Sequence, residues 1–485
     1  MSTSTEVKRD KGFFGHPRAL ANLFGVEMWE RFSFYGMLGI LPLYLYYASA
    51  QGGLDMPKAT AVSIVGAYGG LVYLSTIVGA WIADRLLGSE RTLFYSAVVI
   101  MIGHISLALL PGYVGIGVGL ACISLGSGGL KGNATAVVGT LYAEQDERRD
   151  AGFTIFYMGI NLGGFAGPLL TGLAQQKVNF HLGFGLAAIG MALGLVQYTL
   201  GRKNLGAKAS EVINPLPASK RLRFIGLGVA IVVAIVLLVV TGVITAANLS
   251  DVTVWVVVVA AIIYFAVILT SKKITKIERS RVFSFIPMFI ASAAFWALYQ
   301  QQFTVVTVYS DQRLDRSLFG WQFPVSWVQS INPVFLIVFA PILALLWTKL
   351  GPRQPSTPIK FALGTGLMGI AFLLFLPTAN GGAHDSPLLA LAGVLFVFTI
   401  AELCISPVGL SLATKLAPKV FRTQMVAVNF LAISLGTALS GSLAKHYDPA
   451  NEVPYFGIIG SVAIVIAIVL AALSPLIRKL MAGVR

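Results

Sequence analysis

The chain has 485 residues, of which 56% are hydrophobic and only 11% are charged. That charged fraction is about half the average of soluble proteins, so the composition excludes a soluble globular fold and indicates a protein that crosses the membrane many times. The formal net charge is +15 at pH 7. A nucleic-acid partner is not expected, because basic residues collect in the cytoplasmic loops of membrane proteins.

Apolar stretches of about 20 residues, long enough to span a bilayer as helices, recur along the whole chain. We predict about 14 spans, near residues 21–47, 58–83, 92–110, 113–142, 150–174, 181–200, 223–245, 252–270, 283–310, 322–348, 358–377, 387–416, 420–446 and 455–478. The connecting segments on one side hold most of the Lys and Arg, and exceptions on the other side are Lys58, Lys177, Arg313, Arg316 and Lys445. We therefore expect a multi-pass protein of the plasma membrane (the inner membrane in a bacterium) with both termini cytoplasmic.

An internal repeat predicts the domain organisation. Residues 149–163 align without a gap to residues 422–436. These two helices become equivalent if the apolar pair within 223–270 is an insert. We therefore predict an all-α membrane fold of two six-helix bundles, residues 1–205 and 282–485, joined by a linker with two extra transmembrane helices, residues 206–281.

The first span contains three ionisable residues. Glu27, Glu30 and Arg31 are spaced i, i+3 and i+4, so they share one face of a helix, and Tyr35 lies one turn further along that face. Charges at membrane depth are costly and usually face a water-filled cavity or a partner charge. This pattern predicts a proton-sensitive site that also holds a charged solute.

Two more ionisable residues lie within later spans. Lys131 is too deep in the fourth span to reach the interface easily, so it either pairs with the acids of the first span or anchors an anionic ligand group. Glu402 is followed by Ser406 and Pro407, and the proline is expected to free backbone carbonyls beside a cavity. Glu402 is either a site for a cationic group or a neutral carboxyl bonded to the backbone.

Amides and one histidine also lie within apolar spans. Asn161 and Asn332 either bind a peptide backbone or join neighbouring helices. The segment that contains Trp296 and Gln300 pairs aromatic rings with amides and either packs or binds a ligand. His104 is expected to bond to a neighbouring helix. We find no metal-binding or nucleophile motif, so an enzyme is not expected.

Several of these segments resemble the proton-dependent oligopeptide transporters, a family of the major facilitator superfamily. The motif Glu27-x-x-Glu30-Arg31-Phe-x-x-Tyr35-Gly resembles the first-helix signature of that family. Its later signatures are matched by Phe156-Tyr157 with Asn161, by Asn332-Pro333, and by Glu402 with Ser406-Pro407. The segment from Gly79 through Asp84-Arg85 to Arg91 resembles the loop signature of the superfamily.

The resemblance implies import of di- and tripeptides by alternating access, driven by the proton gradient, without a cofactor and as a monomer. It implies proton coupling by Glu27, Glu30, Arg31 and Lys131. It places Arg31 and Lys131 at the peptide carboxylate, and Asn161, Asn332 and Glu402 at its backbone and amino end. The remaining residues implied for the binding site are Tyr35, Tyr73, Trp296, Gln300 and Ser406.

The chain departs from the family pattern at three positions. Gly132 follows the fourth-helix lysine where a proline is usual, Gln300 stands where a glutamate is common, and Asn429 lies near a position that often holds tryptophan. Two alternatives remain open: transport of another small anion such as nitrate or an organic acid, and peptide sensing without transport. Glu402 argues against the first, and the absence of a sizeable signalling domain from this sequence argues against the second.

Overall fold

A computed structural model describes residues 12–143 and 146–484. The described part of the chain is almost entirely helical. Its helices are α1 (Arg18–Tyr46), α2 (Lys58–Ile82), α3 (Ser89–Leu109), α4 (Gly112–Thr140), α5 (Arg149–Lys177), α6 (Phe180–Gly201), α7 (Ala218–Val240), α8 (Leu249–Thr270), α9 (Lys276–Tyr299), α10 (Val305–Gln312), α11 (Ile331–Leu350), α12 (Thr357–Leu373), α13 (Leu388–Leu416), α14 (Arg422–Ala444) and α15 (Glu452–Leu480). A short antiparallel hairpin joins β1 (Ser317–Leu318) to β2 (Trp321–Gln322).

Thirteen helical segments of the described chain are long and apolar enough to cross a membrane. Helix α1 accounts for the remaining predicted span: it has 29 residues but carries three charged side chains in its middle. The predicted all-α membrane fold is confirmed. Helices α5 and α14 begin at Arg149 and Arg422, which are the positions aligned by the internal repeat.

The helices form two bundles, α1–α6 and α9–α15, with α7 and α8 between them in the sequence. The start of α9 and the end of α15 lie together, since the Ser280 hydroxyl donates to the carbonyl of Leu480 at 2.8 Å. We call the side of the molecule where α1 begins and α15 ends the terminal side. The opposite side is the far side.

Helices α1 and α5 cross closely because α5 has glycines at the point of contact. A Cβ added at Gly163 would lie 2.2 Å from the carbonyl oxygen of Met28, and one at Gly167 would lie 2.4 Å from that of Phe32. Small residues four positions apart allow this approach of transmembrane helices. The crossing holds the segment of α1 around Arg31 against α5.

Hydrogen bonds join the two bundles toward the far side. Asp311 on α10 accepts from the hydroxyls of Tyr46 at 2.9 Å and Tyr47 at 2.7 Å, at the end of α1. Further bonds run from Ser326 to the carbonyl of Pro168, from the Trp327 indole to the carbonyl of Leu169, from Ser330 to the carbonyl of Phe165, and from Ser434 to the carbonyl of Gly70. A Cβ at Gly66 on α2 would lie 2.3 Å from the Cα of Gly441 on α14.

The ninth predicted span, residues 283–310, is not one continuous helix. Helix α9 ends at Tyr299, residues Gln300–Phe303 form a 3-10 turn, and α10 begins at Val305. The break is stabilised by side chains: the Thr307 hydroxyl donates to the carbonyl of Gln302 at 3.0 Å, and the Tyr455 hydroxyl donates to Gln301 Oε1 at 2.7 Å. Irregular backbone at this depth is tolerated because protein groups satisfy it.

The two helices of the insert differ in their contacts. No described residue of α7 is buried. Helix α8 packs between the bundles, where the Ser250 and Ser63 hydroxyls lie 2.9 Å apart and Asp251 forms an ion pair with Lys445. This pair accounts for the basic residue at position 445 on the sparsely basic side.

A buried ion pair accounts for a second exception to the charge pattern. Arg313 Nε lies 3.2 Å from Glu452 Oε2, and the arginine also donates to the carbonyls of Gly381 and Gly382. The Tyr447 hydroxyl donates to Glu452 Oε1 at 2.5 Å. The pair fixes the far-side ends of α10 and α15 together.

Candidate functional site

Arg31 is buried between the two glutamates of α1. Its Nε lies 3.1 Å from Glu27 Oε1 and its Nη2 lies 2.5 Å from Glu30 Oε2. The residues Glu27, Glu30 and Arg31 are only 3%, 0% and 2% exposed. The Ser127 hydroxyl of α4 donates to Glu30 Oε1 at 3.2 Å. Removing one member of such a desolvated cluster leaves an uncompensated charge, so the three residues act as a unit.

Two carboxylate oxygens of this cluster, Glu27 Oε2 and Glu30 Oε2, have no hydrogen-bond partner among the described residues, but only Glu30 Oε2 is in ion-pair contact with Arg31. Glu27 Oε2 is buried, and no described residue donates to it. A carboxylate ordinarily accepts at both oxygens, and a buried unsatisfied acceptor is costly. Protonation at this oxygen would neutralise the carboxylate and weaken its hold on the Arg31 guanidinium.

Lys131 is held by aromatic rings. Its ammonium lies 4.2 Å from the centre of the Tyr73 ring and 5.1 Å from that of Phe34. It makes no ion pair within the described ranges 12–143 and 146–484, so the structure pairs Arg31 alone with the two glutamates. The Arg31 guanidinium lies 5.2 Å from the same Phe34 ring. The two cationic groups therefore share one aromatic neighbour.

Tyr35 lies between the two bundles. Its ring stacks on that of Phe303 with a centroid distance of 5.9 Å, and the Arg31 guanidinium lies 5.9 Å from its centre. A Cβ at Gly164 would lie 3.2 Å from the Tyr35 ring and 3.6 Å from Pro333. Tyr35 therefore connects the charged segment of α1 with the 3-10 turn between α9 and α10 across the junction.

Glu402 is bound by polar groups of its own bundle. The Tyr299 hydroxyl donates to Glu402 Oε2 at 2.7 Å and lies 3.2 Å from Asn332 Oδ1. Asn332 Nδ2 in turn donates to the Thr399 hydroxyl at 3.0 Å. Asn332 therefore joins α11 to α9 and α13, which is one of the two roles predicted for it. It also accepts from the Tyr299 hydroxyl, the group that bonds to Glu402.

Four further predicted site residues are Trp296, Gln300, Asn161 and Ser406. Trp296 is buried and packs edge-to-face on Tyr299 at 5.3 Å. Gln300 is 8% exposed and faces Tyr73. Asn161 donates to the carbonyl of Tyr157 in its own helix at 3.2 Å. Ser406 is exposed and lies one turn beyond Glu402 on α13.

The expectation for His104 is wrong. Its side chain is fully buried, and neither ring nitrogen has a hydrogen-bond partner in the described part of the chain. One turn before and one turn after it on α3 are Ile100 and Ala108, which offer no polar side chain. His104 lies outside the cluster of predicted site residues.

Sequence reasoning missed several residues of the site. Tyr299, Phe34 and Phe303 contact Glu402, the two cations and Tyr35 respectively. Ser127 could have been found, because it precedes Lys131 by four residues and so shares its face of α4. The aromatic residues gave no such signal, since a ring in an apolar helix more often packs than binds.

The first bundle contributes Arg31, paired with Glu27 and Glu30, together with Lys131, which forms no ion pair within the described chain, and the second bundle contributes Glu402. The ring of Tyr35 contacts Arg31, and the ring of Tyr73 contacts Lys131. Aromatic rings contact the charged groups on both sides: Tyr73 and Phe34 lie beside Lys131, and Tyr299 bonds to Glu402. The arrangement is suited to a small ligand with a negative end and a positive end.

Comparison with known proteins yields close relatives over the whole chain. The profile of the POT family matches residues 90–462. An uncharacterized transporter of Bacillus subtilis is 47% identical over 98% of this chain and 97% of its own length. A di-/tripeptide transporter of Lactococcus lactis subsp. cremoris is 42% identical over 99% of both chains. A crystal structure of a mutant peptide transporter POT bound to alafosfalin superposes with a TM-score of 0.92, at 45% identity and 98% coverage of both chains.

Proposed function

Because this chain belongs to the POT family of membrane transporters, we propose that it imports di- and tripeptides together with protons. The observation that carries the proposal is the division of charge within the site. Arg31 and Lys131 lie on the first bundle, and Glu402 lies on the second. Rocking of two such bundles about a central site is the usual mechanism of transporters built from repeats.

The charges of a zwitterionic peptide match those of the site. Its carboxylate would bind Arg31 and Lys131 through charge-assisted hydrogen bonds, and its ammonium would bind Glu402. The amides of Asn161, Asn332 and Gln300 supply donors and acceptors for the peptide backbone. Tyr35, Tyr73 and Trp296 line the space for side chains, and Ser406 lies at its exposed edge.

Coupling to protons follows from the cluster on α1. When both acids are ionised, Glu27 and Glu30 hold Arg31. A proton on Glu27 would remove one of these attractions, and the guanidinium would then be available to the peptide carboxylate. Loading of a proton and loading of a peptide would favour each other by linkage.

The charge pattern supports insertion in the plasma membrane with the terminal side in the cytoplasm. The far-side hydrogen bonds would then close the site to the exterior. One chain contains both halves of the site, so we propose that the monomer is the transporting unit. We also propose that the proton gradient is its energy source. The alternative of a transporter for simple anions is disfavoured, because the Glu402 carboxylate would repel such a ligand.

The test is uptake of a radiolabelled dipeptide into liposomes that contain the purified protein. An inward proton gradient should concentrate the dipeptide inside, and an uncoupler should abolish the accumulation. Unlabelled tripeptide should compete, and nitrate or an organic acid should not. Accumulation that persists without a gradient, or competition by the simple anions alone, would contradict the proposal.

A further inference from the structure

A cavity of about 1330 Å³ lies in the second bundle at the terminal side, away from the site between the bundles. Its wall is formed by the segment that connects α11 to α12, by the last turns of α13 and by the end of α15. All four of these helices end or begin there, so the cavity lies where the apolar spans give way to the surface of the membrane.

The side chains around the cavity are basic. Lys360, Lys415, Arg478 and Lys479 all contribute to its wall, and none of the described lining residues is acidic. Within residues 12–143 and 146–484, the side chains of Arg478 and Lys479 have no hydrogen-bond or ion-pair partner. A concave surface lined by one sign of charge concentrates the opposite charge from solution.

The backbone adds donors to the same cavity. Helix α12 has 17 residues and begins at Thr357, and its first turn lines the wall. The preceding residue, Ser356, makes no capping hydrogen bond to that turn. Pro358 has no amide hydrogen and the Lys360 amide donates to the carbonyl of Ser356, so the first turn offers the amides of Thr357 and Ile359. These two donors and the positive end of the helix dipole add to the attraction that the lysine and arginine side chains exert on an anion.

The cavity also has apolar walls. Pro407 and Val408 of α13 and Met481 near the chain end lie beside the basic groups. Basic pockets between transmembrane helices at the membrane surface bind the phosphates of anionic lipids, whose glycerol and acyl portions contact apolar surface. An occupant would contact α13, which is the helix that carries Glu402.

We propose that this cavity is a binding site for an anionic phosphate group, carried by a phospholipid headgroup or by a soluble phosphate. The proposal goes beyond peptide transport and does not depend on it, because the cavity shares none of its residues with the transport site. The side chains of Arg478 and Lys479 supply positive charge, and the amides of Thr357 and Ile359 at the start of α12 supply hydrogen-bond donors.

The test measures thermal unfolding of the full chain in neutral detergent. The first series compares short-chain phosphatidylglycerol with phosphatidylcholine as its control. The second series compares inorganic phosphate with chloride at equal ionic strength. The test variants are Arg478→Gln/Lys479→Gln and, separately, Lys360→Gln. The matched control is Lys272→Gln/Lys273→Gln, which removes two exposed charges from a loop that does not line the cavity.

Phosphatidylglycerol or phosphate should raise the unfolding temperature of the wild type and of the control variant. In Arg478→Gln/Lys479→Gln the half-saturating concentration should rise about thirtyfold, and Lys360→Gln should shift it in the same direction. A response to phosphatidylglycerol alone assigns the site to a headgroup, and a response to phosphate alone assigns it to a soluble ligand. Responses that are absent, or equal in the cavity variants and the control, would overturn the proposal.

Discussion

The Tyr47 hydroxyl donates a hydrogen bond of 2.7 Å to Asp311 Oδ1 across the far-side junction of the two bundles. Tyr46 donates to the other oxygen of the same carboxylate at 2.9 Å. The end of α1 is thereby tied to α10, which follows the break in α9. The first helix therefore contacts the second bundle at several levels: Tyr35 packs against Phe303 beside the site, and Tyr46 and Tyr47 bond to Asp311 at the far side.

Removing these two hydroxyls should favour opening of the far side. In Tyr46→Phe/Tyr47→Phe the Asp311 carboxylate loses both donors, at a net cost of roughly 1–3 kcal/mol to the closed junction. Spin labels can be placed at Ser49 and Phe319, which are exposed on either side of the junction. The distance between the two labels, measured by pulsed electron paramagnetic resonance, should be long in a larger fraction of the molecules. The labels require replacement of Cys122 and Cys404 by serine.

The matched control for this experiment is Tyr95→Phe/Tyr113→Phe. Both of these tyrosines are exposed, and neither hydroxyl bonds to a described residue. The control should keep the distance distribution of the parent protein. An identical distribution in the junction variant would mean that the tyrosines do not hold the far side closed.

The crossing of α2 and α14 should be sensitive to a single methyl group. Gly66→Ala would place a Cβ 2.3 Å from the Cα of Gly441, where only backbone movement can relieve the clash. We expect a loss of roughly 1–3 kcal/mol in stability, although alanine is the better helix former. Gly185→Ala is the control, since nothing lies within 4 Å of its added Cβ. Equal unfolding temperatures for the two variants would contradict close packing at this crossing.

The orientation of the peptide can be tested by pairing variants with modified ligands. Lys131→Ala and Glu402→Ala should each weaken dipeptide binding by roughly 1.5–3 kcal/mol, because a charge-assisted hydrogen bond is lost. Amidation of the peptide carboxyl should weaken binding to the wild type but add little in Lys131→Ala. N-acetylation should behave likewise with Glu402→Ala. If each modification costs the same in every variant, the proposed orientation is wrong.

Tyr447 should contribute stability that depends on pH. Burial, reinforced by the Glu452 carboxylate, raises the pKa of the Tyr447 hydroxyl well above its usual value. The folded protein therefore keeps this proton at a pH where the unfolded chain releases it, so the contribution is complete below about pH 10 and declines above it. Tyr447→Phe should cost roughly 1.5–3 kcal/mol at pH 7.

Thermal unfolding between pH 7 and pH 11 checks this prediction. The difference between the wild type and Tyr447→Phe should shrink as the pH rises above 10. Tyr113→Phe, which removes an exposed hydroxyl, should differ little from the wild type throughout. A difference that is constant across the range would show that the Tyr447 hydroxyl does not hold its proton more tightly in the folded state.

The sequence predicted the helices well because each span is a long apolar run, and the two segments aligned by the repeat are the first residues of α5 and α14. It also predicted that ionisable side chains lie within the transmembrane spans, at Glu27, Glu30, Arg31, Lys131 and Glu402. It could not predict that Arg31 forms ion pairs with both Glu27 and Glu30, or that the Lys131 ammonium lies over the rings of Tyr73 and Phe34. These contacts depend on how α1, α2 and α4 pack.

The break at Gln300–Phe303 was missed for a related reason. Nothing local requires it, since glutamine is a good helix former. Its freed backbone is satisfied by Thr307, and Tyr455 of α15 holds Gln301. Arg313 is likewise a basic residue on the side of the membrane where few are expected. Its buried ion pair with Glu452, which is distant in the sequence, accounts for its position.

The central claim is that peptide movement is tied to proton movement through the cluster of Glu27, Glu30 and Arg31. The most direct measurement imposes a dipeptide gradient, with no initial pH gradient, on liposomes that contain a pH-sensitive dye and a potassium ionophore to clamp the voltage. Inward flow of dipeptide should acidify the lumen in the wild type. In Glu27→Gln this acidification should be lost, while counterflow of labelled dipeptide is retained at least in part. Dipeptide entry into wild-type liposomes without any change in luminal pH would contradict the account.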